Sequence, residues 1–152
     1  YADSNYKWPS HVEFVGYAGL DKRKELMKGA IASFLPSMYV EPFGGVQIEN
    51  LLSGTPVITT DWGAFSENNI EGVTGYRCRT FEDFVSAATN CKNGKIKSID
   101  CRNHGETFSL ENIAPKYEKF FSRVTDIYGG KGWYTITDPS LYTKEWISQQ
   151  NN

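Results

Sequence analysis

The sequence predicts an α/β fold, a parallel β-sheet flanked by helices, and three observations carry that prediction. Short apolar, strand-like runs alternate with amphipathic helical segments at about 20-residue spacing, the pattern of strands joined by crossover helices. Breakers such as Gly16, Pro36-Ser37 and Gly54 stand at the ends of those runs. The chain has 152 residues, 39% hydrophobic and 22% charged, an ordinary globular balance.

Residues 12–15, Val-Glu-Phe-Val, read as a short strand stopped by Gly16. Residues 21–33 read as a helix, with Leu26, Met27, Ala30 and Ile31 at helical spacing and Asp21 placed to cap. Phe34-Leu35 follow as a strand, and residues 44–53 as a helix closed by Gly54 just past its end. Residues 56–60 are a β-branched strand led by Pro56, where no ladder donor is missed. Residues 61–75 are loop and short helix, and residues 76–78 a minimal edge strand. Thr80 caps a helix with an acidic first turn. Residues 99–105 form another short helix, and Ser109 caps a longer one to about residue 128. Its apolar face carries Ile113, Tyr117, Phe120, Phe121 and Val124.

A parallel sheet binds ligands outside the carboxyl ends of its strands. Those ends are residues 16–20, 37–45, 61–66 and 77–79, all on one rim. The second carries the densest chemistry. Gly44-Gly45 leave backbone amides bare at the start of a helix, and the helix end adds about half a positive charge, so an anion can bind there. Glu41 lies just before that site. Glu49 lies roughly 7 Å along the axis past Gly44 at about 1.5 Å per residue, the offset from a diphosphate to the ribose of the same nucleotide. With Ile48, Leu51 and Leu52 as the buried stripe, Glu49 sits about 100° from its centre, where a carboxylate needs partners. Taken singly, Glu41 reads as well as a solvated loop carboxylate, and Glu49 as a helix-flank charge. The combination is the specific feature.

The remaining composition narrows the class. A net charge of −2 gives no basic footprint for nucleic acid. No apolar run approaches the ~18 residues of a membrane span. Cys78, Cys91 and Cys101 lack metal or disulfide spacing and read as buried or incidental thiols in a reducing compartment, so a cytoplasmic location is expected. His11 and His104 have no ligand-spaced companions, so no metal and no cofactor is expected. The nine Phe, nine Tyr and four Trp predict a well-filled core.

The ordered motifs resemble retaining glycosyltransferases of the GT-B fold, family 4 (glycosyl transferases group 1). Glu41 and Glu49 form a Glu-x7-Glu element, set among Pro36-Ser37, Glu41-Pro42-Phe43-Gly44, Gly54-x-Pro56-Val57, Gly63-x-x-x-Glu67 and Gly72-x-x-Gly75. Val12-x-Phe14-x-Gly16 upstream, and Arg102 with Phe108-Ser109 downstream, extend the likeness over roughly residues 12–128. The resemblance implies a Rossmann-like domain, residues 1–128, that forms the C-terminal, donor-binding half of such an enzyme. It implies transfer of a sugar from a nucleotide-diphosphate donor with retained configuration and no bound metal. Glu41, the catalytic-site carboxylate, would contact donor-sugar hydroxyls, and the amides of Phe43, Gly44 and Gly45 would meet sugar and diphosphate. Glu49 would hold the ribose, and the loop with Gly16 and Tyr17 would face the base.

Two departures from the pattern concern packing: Asn50-Leu51-Leu52 follow the second Glu, and Ala64 replaces the second Gly of a pair. A third is larger. The family's Arg/Lys diphosphate clamp has no match, since Arg23, Lys24 and Lys28 read as the solvated face of a helix. The start, Tyr1-Ala2-Asp3, reads as a piece of a longer protein whose first strand-loop unit and acceptor-binding N-terminal domain lie upstream, so the chain alone is expected to transfer little sugar. The acceptor, a glycan, lipid or protein, would bind through that domain. The aromatic tail, residues 129–152, is read as a crossover helix over 139–149 or a helix packed on its own domain. Competing readings are a nucleotide-binding domain of the same fold without activity, and a nucleotide-sugar epimerase.

Overall fold

Three short parallel strands form the centre of the structure, a computed structural model that describes residues 7–130. In chain order the elements are α1 (Leu20–Gly29), β1 (Ser33–Leu35), α2 (Gly45–Leu52), β2 (Val57–Thr60), α3 (Phe65–Asn68), β3 (Gly75–Cys78), α4 (Phe81–Lys92), α5 (Ser98–Glu106) and α6 (Leu110–Gly129). The sheet order is β1-β2-β3, with Ser33 beside Val57 and Val57 beside Gly75. The α/β reading holds: a parallel sheet flanked by helices. The chain divides into two compact units at Phe108–Ser109, with α6 in the second.

The central strand explains the core. All four residues of β2 are buried, as its run of Val, Ile and Thr suits a strand covered on both faces. Ile48 and Leu51 of α2, Cys78 of β3, Ala87 and Cys91 of α4, and Ile96 and Cys101 pack with Val57 and Ile58. All three thiols are therefore buried, and burial pushes those of Cys78 and Cys101 up to about 11, so neither is a nucleophile at neutral pH. Asn69 is a buried polar hub: its amide donates to Val57 O, Thr59 Oγ1 and Tyr76 O, and its carbonyl accepts from Thr74 Oγ1. These bonds satisfy groups that burial would otherwise leave unpaired.

Several elements differ from expectation. Residues 12–15 form no strand, because alternation alone does not make one: a strand needs a ladder partner, and among the described residues none lies beside them. Trp8 stacks on Phe14 instead, with ring centroids 5.8 Å apart. The helix expected over 21–33 ends at Gly29, because the Thr55 hydroxyl binds Met27 O and the chain then extends into β1. Asp21 does not cap it; Gly19 holds that position and Asp21 lies in the first turn. Thr80 does cap α4, in a reciprocal box with Asp83. Ser109 holds the cap position of α6, but its hydroxyl accepts from Asn112 Nδ2 at 3.1 Å and makes no cap bond to the helix backbone.

The aromatic side chains do not fill the core as expected. Phe65 is fully buried, while Phe14, Phe34, Phe43, Phe81, Phe120 and Phe121 are exposed. Aliphatic and thiol groups, with four buried threonines, occupy the interior instead. Among the described residues no helix is long and apolar enough to cross a membrane. The expected crossover helix at 139–149 lies outside the described residues.

Candidate functional site

Because the strands are parallel, their carboxyl ends open on one side, and residues 37–44 and 61–64 meet there. Gly63 is held against Glu41 so closely that a Cβ on it would stand 2.6 Å from Glu41 O. The Ala64 amide donates to that same carbonyl at 2.8 Å. Trp62 Nε1 donates to Tyr39 O, Asn68 Nδ2 to Phe43 O and Thr60 Oγ1 to Ser37 O. The loop before α2 is thus braced along its length by β2 and α3.

Gly44 caps α2 in a left-handed conformation, φ +81°, which a side chain rarely adopts. A Cβ there would also press on the Phe65 ring at 3.1 Å. The first helical bond runs from Ile48 N to Gly44 O, so the amides of Gly45, Val46 and Gln47 have no partner within the helix. Around Gly45 there is open space. These are the conditions for anion binding at a helix end.

Glu41 is more engaged than the sequence suggested. Its Oε1 accepts from Gly44 N at 3.0 Å and its Oε2 from the Tyr39 hydroxyl. The Tyr39 hydroxyl first, and then the Gly44 and Phe43 amides, hold the Glu41 carboxyl below its ordinary value, while the carboxylate pushes the Tyr39 phenol up. A carboxyl held so stays ionised at neutral pH. It can accept hydrogen bonds or face a developing positive charge, and it is a poor general acid. Two of the three amides expected to meet a ligand, Phe43 and Gly44, face this carboxylate.

Glu49 lies on the flank of α2, as its azimuth predicted, with its side chain 42% exposed. Its two oxygens differ. Oε1 is 3.4 Å from Arg23 Nη2, while Oε2 is enclosed and has no hydrogen-bond partner. Arg23 is therefore not merely part of a solvated face: it reaches across from α1 to α2, a contact that helix periodicity could not reveal. Among the described residues, Lys24 meets Asp21 of its own helix, at 3.9 Å. Gly16 adopts φ +63° and Tyr17 is 98% exposed. Their loop runs into Gly19, one helical turn before Arg23, whose amide bonds Gly19 O.

Two further residues were not singled out from sequence. Gln47 is fully buried and neither atom of its amide finds a partner, although Oε1 is 3.2 Å from where a Gly44 Cβ would stand. A polar residue at a helix's third position, behind a Gly cap, was the available signal. Asp61, at the end of β2, is taken up by Arg79, with Nη2 at 2.7 Å, and lies 3.6 Å from Arg77 Nη1. Arg77 also donates to Ser66 O, which ties α3 to β3. Phe43 packs edge-on against Phe108, which meets His104 in the same way.

Comparisons with known proteins point one way. A family model, Glycosyl transferases group 1, matches residues 2–106. A stretch of 65 residues is 42% identical to a glycogen synthase of Mycobacterium tuberculosis (strain CDC 1551 / Oshkosh), and the same holds for that of strain H37Rv. That stretch is 43% of this chain and 16% of the relative's length. An uncharacterized glycosyltransferase of Methanocaldococcus jannaschii is 37% identical over 68 residues, 43% of this chain and 17% of its own length. The matched stretches thus span about a sixth of these relatives' length.

Proposed function

The chain belongs to the glycosyl transferases group 1 family, and from that premise we propose that its rim binds a nucleotide-diphosphate sugar for transfer with retained anomeric configuration. The observation that carries this reading is the bare helix end at Gly45 followed, along the same helix, by the Glu49 carboxylate with its side chain 42% exposed. In this reading the diphosphate lies on the amides at the start of α2. The half-exposed Glu49 carboxylate accepts hydrogen bonds from the ribose hydroxyls in place of its contact with Arg23. The unpaired Gln47 amide supports the same place for a polar ligand.

The chemistry follows from charge. As the bond between the sugar and the diphosphate breaks, negative charge grows on the leaving phosphate. Fixed amides and the helix dipole oppose it without reorganising, and no metal is required. Positive charge grows at the anomeric carbon, and Glu41, kept ionised by Tyr39, faces it or orients the sugar hydroxyls. The Phe43 and Gly44 amides pass to the donor as Glu41 turns toward the sugar. Gly16 and Tyr17 face the base. This reading is of a GT-B enzyme of family 4, in which a separate N-terminal domain would present the acceptor (a glycan, lipid or protein).

The test is product analysis with the protein, using UDP-, GDP- and ADP-glucose and a glucan acceptor. The expected result is a new glycosidic bond with the donor's configuration, read by NMR of the anomeric proton. Inverted product, or an epimerised nucleotide sugar with no transfer, would refute the reading.

A further inference from the structure

The Glu41 carboxylate stands where the anion of a ligand would stand. Its Oε1 accepts from Gly44 N at 3.0 Å, at the cap of α2, and its Oε2 accepts from the Tyr39 hydroxyl. The Gly44 and Phe43 amides help to hold the carboxyl below its ordinary value, so these donors stabilise its charged form. The rest of the helix end is not satisfied from within. Its first helical bond runs from Ile48 N to Gly44 O, and nothing lies within 4 Å of where a Gly45 Cβ would stand. Behind Gly44, Gln47 is fully buried with both atoms of its amide unpaired. Glu41 is thus a built-in anion that covers one amide of the group and leaves the next ones open. A diphosphate at the start of α2 must either bear the repulsion of an ionised Glu41 at close range or displace Oε1 from Gly44.

We propose that Glu41 is a self-cap: an internal anion that competes with the diphosphate for the Gly44 amide, so that the site binds an intact nucleotide sugar in preference to the spent nucleoside diphosphate. The inference rests on the reading of the start of α2 as the diphosphate site. An intact donor brings hydroxyls on its sugar, and Oε1 exchanges the Gly44 amide for one of them while Tyr39 keeps Oε2 in place. A nucleoside diphosphate has no sugar hydroxyl to offer there. Once the sugar has left, Oε1 returns to Gly44 N, the diphosphate loses that amide, and product release is favoured.

A carboxylate that only touched the sugar would leave the affinity for a nucleoside diphosphate unchanged when it is removed; a self-cap raises that affinity when it is removed. The experiment measures binding of UDP, GDP and ADP, and of their glucose conjugates, by calorimetry on the wild-type chain and on Glu41→Gln, Glu41→Ala and Tyr39→Phe. Glu41→Gln removes the charge at nearly constant shape, and Glu41→Ala removes the contact as well. Both are expected to bind at least one diphosphate on the order of tenfold more tightly than wild type, the scale of taking a like charge from beside a partly exposed anion. Both should also lose the wild-type preference for the nucleotide sugar over its diphosphate. Tyr39→Phe keeps the charge but frees Oε2, and should strengthen diphosphate binding by less. If the wild type binds a diphosphate and neither Glu41 variant binds it more tightly, the self-cap is overturned while the diphosphate site stands. If neither the wild type nor any variant binds a diphosphate, the site and the self-cap fall together.

Discussion

Replacing Gly75 by Ala is expected to cost about 4 kcal/mol or more, at the far end of what single substitutions do. Gly75 opens β3 directly beside Val57 of the central strand. A Cβ on it would stand 1.8 Å from Val57 O, 2.7 Å from Val57 C and 2.9 Å from Val57 N. All three atoms are backbone, so no rotamer change relieves the clash. Either β3 withdraws and its ladder breaks, or β2 shifts and disturbs the core around Val57 and Ile58. Ordinary overpacking costs about 1–3 kcal/mol because side chains yield; here they cannot. A domain has only about 5–15 kcal/mol to lose. With ~4–8 °C per kcal/mol at this size, the melting midpoint by circular dichroism should fall by roughly 20 °C or the fold should not form. A midpoint within a few degrees of wild type would mean that β2 and β3 do not approach as described.

The second large effect is on binding. Glu49→Ala is expected to lower affinity for a ribonucleoside diphosphate on the order of 10–100-fold, since it removes hydrogen bonds to a charged acceptor. It should leave the fold intact, because what it breaks in the free protein is a half-exposed pair with Arg23. Calorimetric titration with UDP, GDP and ADP reads the loss. Equal affinity in wild type and variant would remove the ribose from Glu49.

Much of this was legible because local chemistry and tertiary demand agreed. The run Pro56 to Thr60 is β-branched, and it became the buried central strand; Gly54 after Leu52 adopts φ +78°, where a helix is closed by glycine. Thr80 and Asp83 announced a cap and formed one. Glu41 and Glu49 were placed by spacing and helix azimuth, and the structure sets them before and along α2 as that spacing requires.

What was not legible depends on contacts between distant segments. Residues 12–15 alternate as a strand does, yet pairing is a property of two segments, and theirs is missing among the described residues. Arg23 looked solvated because a helix face says nothing of what stands opposite; its partner is 26 residues away. Gln47 and Asn50 interrupt the apolar stripe and are buried all the same. Asn50 is satisfied by Ser33 Oγ and Val46 O, bonds that no periodicity encodes. The hold of Tyr39 on Glu41 depends on the bend of the loop between them, which residue order does not determine.

The central claim is that the amides opening α2 receive the diphosphate of a nucleotide. Backbone amide NMR tests it most directly, with the ¹⁵N-labelled chain titrated with UDP, GDP and ADP and, as control, with the bare nucleosides. At least one diphosphate should shift the Gly44, Gly45 and Val46 resonances more than any others, and its nucleoside should shift them far less. If those three amides stay unmoved at saturating diphosphate, or if the shifts centre elsewhere on the sheet, the site is not where Gly44, Gly45 and Glu49 place it.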